Sequence, residues 1–366
     1  MAISPLHNVV RSTRRRSITL RMYSEAMRNA AVGEYVDAAV YSADRGAIFE
    51  RSWHLIGPVA RLAEPGSYVA DEIAGSKVMA IRSTDGVLRA FRNVCRHRGA
   101  RLLPEGTGSC PGFIQCPYHH WLYADTGELR RTPWFGDDPT FDIADWPLDS
   151  VAIDVWRGLV FVAIDPVEPL ESQLGGLIAE LAEEPLEIYT LHREERMIFD
   201  ANWKIYVDNF VEGYHIPGIH PDFFQAIEFD KFETTARDGY VYMTAPPREG
   251  LFYRGVWLWM WPDWTLSLFA NGFNTSRINP LSIDRTELIY HYYFADAVPL
   301  DEKERTVAGS IEVVRQDFEV CLHTNRNYTS RAYRPGPLSP VHEQGVAYFQ
   351  QRLAAARAMQ QELSAG

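Results

Sequence analysis

The chain has 366 residues, more than one typical domain, so two domains are expected. Its net charge of -12 argues against nucleic acid as a partner. Hydrophobic residues make up 46% of the chain, enough for large packed cores, and no apolar run approaches the roughly 18 to 20 residues that span a bilayer. These properties argue against a nucleic-acid-binding or membrane-bound protein.

Residues 1–30 differ from the rest because they carry six arginines against the single acid Glu25. An Arg- and Ser-rich start resembles an organellar transit peptide. The alternative, which we favour, is a solvated basic arm or a helix packed on a neighbouring subunit. We therefore expect residues 1–45 to form a basic N-terminal extension with a helical arm.

Short β-strands and tight turns begin after this extension. Residues 77–82 and 87–91 predict two strands joined by the turn Ser83-Thr84-Asp85-Gly86. The run GLVFVAI at 158–164 predicts a buried strand, and Asp165-Pro166 is the expected domain boundary. The chain would then divide into a domain of residues 46–165 and a domain of residues 166–366.

The first domain contains two Cys-His segments, Cys95-x-His97 and Cys116-x-x-His119. Two thiolates and two imidazoles at this spacing predict a metal site, either structural zinc or an iron–sulfur centre. Each segment supplies one Cys and one His, so each can give its sulfur to one iron and its imidazole to the other. That ligand set is the one of a Rieske [2Fe–2S] cluster, which we favour over zinc.

The other two cysteines, Cys110 and Cys321, do not form the pattern of a secreted disulfide framework. We expect both to be free thiols in a reducing compartment, and therefore a cytoplasmic protein.

The second domain combines predicted helices with aromatic-rich strands. Helices are expected at residues 174–184, 203–214 (ended by Pro217-Gly218), 301–334 and 342–362. Strands are expected at residues 241–243, 256–261, 265–269 and 288–294.

A second metal site is predicted at the end of the helix 203–214. His215 and His220 are five residues apart, and the Pro217-Gly218 break lets the chain turn so that both imidazoles meet. Two His and one carboxylate form the facial triad of non-haem Fe(II) oxygenases. Asp317 is the preferred carboxylate because its apolar neighbours make an unliganded carboxylate costly to bury. Its competitors in the same helix are Glu312 and Glu319.

Four segments in this order resemble the α subunits of Rieske non-haem iron oxygenases. They are FRNVCRHRGARL (91–102), CPYHHW (116–121), NWKIYVDNF (202–210) with YHIPGIH (214–220), and the helix around Asp317. The resemblance implies an α+β chain, with an N-terminal all-β Rieske [2Fe–2S] domain and a C-terminal helix-grip catalytic domain of antiparallel sheet and long helices. It implies that Cys95, His97, Cys116 and His119 hold the cluster and that His215, His220 and Asp317 hold a mononuclear Fe(II).

The same resemblance implies partners and a bridging residue. The family forms ring-shaped trimers, here a homotrimer or α3β3, and takes electrons from a separate NAD(P)H-dependent flavin/iron–sulfur reductase or a ferredoxin. Glu212 occupies the position of an acid that links a cluster-ligand His to an iron-ligand His; the alternative is a solvated helix residue. Asp208 and Asn209, in the same segment, are also predicted to be catalytic. His120 stands where many members have a small residue.

The substrate is predicted from a narrower resemblance. The Glu at the bridge and the ending HEQGVAYFQ (342–350) are similar to the choline, glycine betaine and carnitine monooxygenase branch, which implies oxidation of a quaternary ammonium compound. A trimethylammonium group favours an aromatic cage, and a cation over an aromatic face gains roughly 0.5 to 2 kcal/mol. The predicted substrate-binding residues are Trp257, Trp259 and Trp261 on one face of a strand, with Tyr206 and Phe273.

Other readings of these aromatic residues stay open. Alternating Trp in a strand also suits a core or a subunit interface. The same wall suits a planar ring, so a hydroxylase of an aromatic ring or aromatic acid is the alternative function, with Arg254 or Arg277 as carboxylate partners. A Rieske electron carrier without oxygenase activity is a more distant alternative.

Overall fold

The structure, a computed structural model, describes residues 28–110, 112–248 and 252–365. Most of the predicted basic arm, residues 1–27, lies outside the described residues. The described part of the extension contains helices α1 (Gly33–Val36) and α2 (Ala38–Asp44), and α2 continues into a π-helical turn, Arg45–Phe49. These helices contact the second half of the chain, where the Tyr35 hydroxyl donates to the carboxylate of Asp208.

The first half is all-β between residues 54 and 163. Among the described residues, seven strands form one antiparallel sheet in the order β1-β10-β9-β4-β3-β2-β5, and β6, β7 and β8 form a small second sheet. The strands are β1 His54–Pro58, β2 Ser67–Ile73, β3 Ser76–Arg82, β4 Leu88–Arg92, β5 Gly106–Ser109, β6 Phe113–Gln115, β7 Leu122–Ala124, β8 Leu129–Arg131, β9 Ser150–Trp156 and β10 Leu159–Ala163. The predicted strands at 77–82, 87–91 and 158–164 correspond to β3, β4 and the fully buried β10.

The second half is built on another antiparallel sheet. Its described strands follow the order β11-β17-β16-β15-β14-β13-β12. They are β11 Thr190–Phe199, β12 Glu233–Arg237, β13 Tyr240–Thr244, β14 Tyr253–Met260, β15 Trp264–Phe269, β16 Gly272–Ser282 and β17 Arg285–Phe294. The helices are α3 Leu170–Leu174, α4 Leu177–Glu180, α5 Trp203–Phe210, α6 Ile216–Ile219, α7 Pro221–Ala226, α8 Leu300–Thr329 and α9 Gln344–Ala365.

This sheet has a helical layer on each face. One face packs against α5, α8 and α9 in a large apolar core. The other face packs against α3, α4 and strands β1 and β10 of the first half. The α+β class with an all-β first domain and an antiparallel sheet with long helices is confirmed. The boundary predicted at Asp165-Pro166 falls between β10 and α3 and stays a prediction.

The predicted helices differ from the structure in their ends. The stretch 174–184 forms two short helices, because Gly175 at φ +51° interrupts the first. The helix from Trp203 ends at Phe210. Pro217 lies in the first turn of α6 and does not end a helix, because proline's missing N–H is tolerated in a first turn. No helix of the described residues is long and apolar enough to cross a membrane.

The two halves are joined by buried polar contacts. Arg277 of β16 forms an ion pair with Asp71 of β2 and donates to the carbonyl of Glu72 at 2.9 Å. The Ala74 N–H donates to the Asn279 side chain, also at 2.9 Å. These contacts fix the first domain against the sheet of the second.

Candidate metal centres and substrate cavity

The two Cys-His segments form loops with the same hydrogen bonding. In each, the Cys N–H donates to the carbonyl five residues later, at 2.7 Å after Cys95 and 2.8 Å after Cys116. The residue four positions after each Cys has positive φ, +73° at Gly99 and +57° at His120. His120 therefore occupies a backbone position that glycine adopts without strain.

The side chains of these loops fit a Rieske cluster. Cys95 and Cys116 are buried, and the Nδ1 atoms of His97 and His119 are buried without a hydrogen-bond partner among the described residues. A buried polar atom without a partner is costly, and ligation of a metal removes that cost. The two rings lie with their centroids 4.6 Å apart, so the two nitrogens can serve one iron.

Two aromatic residues support the loops, and the sequence did not reveal their roles. Trp121 stacks on the His97 ring with centroids 4.7 Å apart. The Tyr123 hydroxyl lies 3.3 Å from the Cys95 sulfur and accepts from the Arg96 N–H at 3.1 Å. Hydrogen bonds to cluster sulfurs tune the reduction potential. Burial and the neighbouring Cys95 raise the pKa of Tyr123, so its hydroxyl keeps the proton that such a bond needs.

The second predicted site is brought together by the two ends of α6 and by α8. One ligand atom each from His215, His220 and Asp317 lie within 4.8 Å of one another. Asp317 Oδ1 is 3.0 Å from His220 Nε2 and 3.6 Å from His215 Nε2. The competing carboxylates of the same helix, Glu312 and Glu319, are exposed and do not join this group. The spacing of the three side chains suits a facial triad.

Each histidine of this triad is held at its other nitrogen. Glu212 Oε1 lies 2.5 Å from His215 Nδ1, and Gln316 Oε1 lies 2.7 Å from His220 Nδ1. A proton on Nδ1, donated to these oxygens, leaves Nε2 free for a metal. Asn209 donates to Asp317 Oδ1 at 2.7 Å, so it orients the carboxylate. Gln316 was not predicted, because nothing in its sequence neighbourhood distinguishes it.

The electrostatics of the triad favour a bound cation. Burial disfavours protonation of His215, but the hydrogen bond and charge of Glu212 and the charge of Asp317 outweigh it and raise the pKa of this histidine. Two carboxylates in a buried site need a positive partner, which a divalent metal supplies.

Glu212 lies between two cavities. Its carboxylate is 9% exposed and also accepts hydrogen bonds from the N–H groups of Tyr214 and His215. It lines the inner cavity beside the triad and also a depression on the outer side, which Asp208 and Glu343 line as well. Glu212 therefore contacts His215 beside the inner cavity and also lines the outer depression.

Asp208 contacts Tyr35 and Gln350 and not the triad, and its predicted catalytic role stays a prediction. Asp208 lies on another side of α5. There Tyr35 donates to its Oδ2 at 2.5 Å and Gln350 donates to its Oδ1 at 3.4 Å. Burial raises the pKa of Asp208 to about 7, although both hydrogen bonds lower it. Its role is in the contact between α1, α5 and α9.

The inner cavity beside the triad is mainly aromatic. Its aromatic lining consists of Tyr206, Phe210, Phe223, Phe232, Tyr253, Trp257 and Tyr290. Polar groups come from the triad and its partners and from Ser267 and Asn274 on the sheet. Among the described residues that line it, none is Arg or Lys.

Of the predicted substrate residues, Tyr206 and Trp257 line this cavity, and Trp259, Trp261 and Phe273 do not. The three tryptophans share a face, but the cavity reaches only one end of β14. Trp259 packs edge-on against Phe349 of α9 at 5.4 Å, and Arg352 of α9 lies 4.9 Å from the Trp261 ring. Phe273 stacks on Tyr293 on the other face of the sheet.

Comparison with known proteins agrees with this geometry. The Rieske [2Fe-2S] domain matches residues 52–143, and the ring hydroxylating alpha subunit (catalytic domain) matches residues 186–359. The carnitine monooxygenase oxygenase subunit of Escherichia coli (strain K12) is 30% identical over 87% of this chain and 91% of that protein. Chloroplastic choline monooxygenase of Spinacia oleracea is 25% identical over 86% of this chain and 75% of that protein. The solved structure of a quaternary ammonium Rieske monooxygenase superposes with a TM-score of 0.84 at 26% identity, covering 91% and 96% of the two chains.

An all-β Rieske domain followed by a helix-covered antiparallel sheet defines the terminal component of an O₂-dependent oxygenase. The chain belongs to the Rieske non-haem iron oxygenase family, among the ring-hydroxylating α subunits. It is an oxygenase subunit that uses a Rieske [2Fe–2S] cluster and a mononuclear iron, and it depends on electrons from a reductase partner. This membership excludes the zinc site and the electron carrier without oxygenase activity.

Proposed function

We propose that the chain hydroxylates a small quaternary ammonium compound, with N-demethylation, C–N cleavage or choline-type oxidation as the outcome. The observation that carries the proposal is the aromatic cavity beside the triad, which has no Arg or Lys among its described lining residues. Aromatic faces attract a cation by roughly 0.5 to 2 kcal/mol each, more when the site is dry. The relatives named for carnitine and choline oxidation support the same substrate class.

The ligands follow from the two sites. His215, His220 and Asp317 would hold the iron, and Cys95, His97, Cys116 and His119 would hold the cluster. When bound, these groups supply electrons and O₂ activation. Glu212 and Gln316 keep the two histidines in the tautomer that presents Nε2. The aromatic rings exclude water and hold the cation against the triad.

Glu212 is proposed as the bridge between subunits. The depression outside it is acidic, through Glu212 itself and Glu343, whereas Arg98 and Arg131 are exposed on or beside the cluster loops. Opposite charge favours docking of the cluster loops of one subunit on this depression of the next. This arrangement supports a homotrimeric ring in which Glu212 contacts a cluster histidine of the neighbour.

The electron donor we propose is a separate NAD(P)H-dependent flavin/iron–sulfur reductase or a ferredoxin. A cytoplasmic location suits the four cysteines, because none of them forms a disulfide bond.

A hydroxylase of an aromatic ring is the second candidate, because the same aromatic walls accommodate a planar ring. An aromatic acid fits less well. Arg254 forms an ion pair with Glu184 and Arg277 with Asp71, so neither predicted carboxylate partner reaches the cavity.

Substrate-dependent oxygen consumption tests the proposal. The purified oxygenase, a reductase and NADH are combined with quaternary ammonium compounds or with aromatic acids, and products are identified by mass spectrometry. We expect oxygen uptake coupled to product with at least one ammonium compound and with none of the aromatic acids. Coupled turnover of aromatic substrates alone would overturn the assignment.

A further inference from the structure

We propose that the cavity selects an ammonium compound that carries a hydroxyl group and no carboxylate, and that Asn274 is the residue that hydrogen-bonds the hydroxyl. This inference rests on the proposed function and narrows its substrate class.

The first observation is the charge of the lining. Glu212 and Asp317 are its acids, and among its described residues no Arg or Lys can balance a substrate carboxylate. The two nearby arginines of the sheet, Arg254 and Arg277, are already paired with Glu184 and Asp71. Glu212 and Asp317 already balance the two charges of a divalent metal, so a substrate carboxylate would be buried without a cationic partner, which is strongly disfavoured. Betaines and carnitine, which carry one, should therefore bind less well than an uncarboxylated ammonium compound.

The second observation is an unpartnered polar atom. Asn274 is 1% exposed and lines the cavity, and its Oδ1 is buried without a hydrogen-bond partner among the described residues. Its Nδ2 points to Ser310 Oγ at 3.4 Å. A buried amide oxygen needs a donor, and within the cavity that donor has to come from the bound molecule or from water.

The surroundings of Ser310 leave one polar atom of this amide free in either orientation. The hydroxyls of Tyr253 and Tyr292 approach Ser310 Oγ at 3.0 and 3.1 Å, so three groups converge on one hydroxyl. A hydroxyl has one hydrogen and two lone pairs, so it cannot accept from all three. If the amide is turned, Nδ2 takes the unpartnered position of Oδ1. A substrate hydroxyl both donates and accepts, so it pairs with Asn274 in both cases.

The third observation is the register of the sheet. Trp257 of β14 pairs with Ser267 of β15, and Ser267 pairs with Asn274 of β16. Side chains paired across strands lie on the same face of the sheet. The Trp257 ring, the Ser267 hydroxyl and the Asn274 amide are therefore neighbours in the cavity wall. Phe223 meets the Trp257 ring edge-on at 5.3 Å and closes the aromatic side. This row suits a molecule whose ammonium and hydroxyl groups are a few bonds apart.

The experiment measures dissociation constants by calorimetry on the metal-loaded oxygenase without reductase, so that no turnover occurs. The ligands are choline, propyltrimethylammonium (a methyl in place of the hydroxyl), glycine betaine and carnitine. We expect choline to bind about tenfold or more tightly than propyltrimethylammonium, because the latter leaves the Asn274 amide unpaired. Glycine betaine and carnitine should bind more weakly than choline.

Variants assign the preference to the residue. In Asn274→Leu, choline and propyltrimethylammonium should bind with about equal dissociation constants. The dissociation constant of propyltrimethylammonium itself should change by less than about twofold from wild type. Asn271→Leu, the same substitution at an exposed position next to β16, should leave the preference unchanged. Asn274→Ser, a smaller polar change, serves if the leucine variant does not fold, and it should give a reduced preference.

The outcomes separate this inference from the proposed function. Equal affinity of the wild-type protein for choline and propyltrimethylammonium, or a preference that survives Asn274→Leu, would overturn the role of Asn274. Carnitine or glycine betaine binding as tightly as choline would overturn the exclusion of carboxylates. If none of the four ammonium ligands binds, the proposed function itself fails.

Discussion

The two histidines of the mononuclear site have different partners, and this difference separates two functions. Gln316, a neutral amide, accepts from His220 and donates to the exposed Glu312 at 3.4 Å. Glu212, an anion, accepts from His215 and also faces the outer depression. Outer partners of metal-binding histidines typically change metal affinity or activity 10- to 100-fold when mutated. We therefore expect a substitution of Glu212 to lower activity and a substitution of Gln316 to lower iron affinity.

Glu212→Ala should abolish turnover while the iron content stays near that of wild type, because His215, His220 and Asp317 all remain as ligands although His215 loses its Nδ1 acceptor. Oxygen consumption should fall about 100-fold or more, with iron content, measured by mass spectrometry, within about twofold of wild type. Glu319→Ala, an exposed acid of α8, is the control and should behave as wild type. Retained turnover in Glu212→Ala would remove its assignment as the bridge.

Gln316→Leu should weaken iron binding, because the His220 ring loses the acceptor that fixes its tautomer. We expect the Fe(II) dissociation constant to rise about 10- to 100-fold in competition with a chelator. Gln316→Glu keeps an acceptor at the same length and should restore iron binding. Equal iron affinity of Gln316→Leu and wild type would show that the rest of the site orients His220.

At the scale of elements, local patterns predicted much of the molecule. The cluster ligands could be predicted because they lie within a few residues of one another in two loops, and β3, β4, β10 and α8 because their apolar patterns are regular. Strand β16 was missed because its residues 274–277 are polar: Asn274 faces the substrate cavity and Arg277 the other domain. The predicted tryptophan cage included too many residues, because α9, almost ninety residues further along the chain, covers Trp259. Such contacts depend on tertiary packing, which alternation within a strand does not reveal.

The junction of α1, α5 and α9 is expected to make stability depend on pH. The pKa of Asp208 is raised from 3.8 to about 7 by burial. Between about pH 4 and pH 7 the folded protein therefore binds a proton that the unfolded chain does not, so stability falls as the pH rises through this window. Above pH 7 the loss is complete, on the order of a few kcal/mol.

Asp208→Asn should remove this dependence. The amide can donate to the Tyr35 oxygen, whose own hydrogen can go to Asn29 at 3.2 Å, so it replaces the protonated acid. In chemical denaturation, the variant should gain stability relative to wild type between pH 5 and pH 8. The exposed Asp200→Asn is the matched control. The same stability difference at both pH values would contradict a titrating Asp208.

At the scale of the whole molecule, a buried ionic contact holds the Rieske domain to the catalytic sheet. Asp71 and Arg277 have side chains that are only 5% and 2% exposed, and Arg196 Nη1 lies 3.5 Å from the same carboxylate. Burial disfavours ionisation of Asp71, but the charges of Arg277 and Arg196 outweigh it and lower its pKa. The pair therefore stays ionised at neutral pH, and its contribution is lost only as the pH falls through the acid range.

Removing one partner of the Asp71–Arg277 ion pair should lower the free energy of unfolding far more than replacing both. Asp71→Asn leaves Arg277 buried without its counter-ion, and breaking such a pair typically costs about 3 to 5 kcal/mol. In the double variant Asp71→Leu/Arg277→Met both charges are gone and apolar packing replaces them, so much of the loss should be recovered. Asp85→Asn breaks an exposed pair with Arg89, which solvent screens, so it should cost far less than Asp71→Asn. Thermal unfolding, followed by circular dichroism and by the visible absorbance of the cluster, distinguishes these cases. A loss in Asp71→Asn no larger than in Asp85→Asn would mean that the apolar contacts of β1 and β10, and not this ion pair, hold the two domains together.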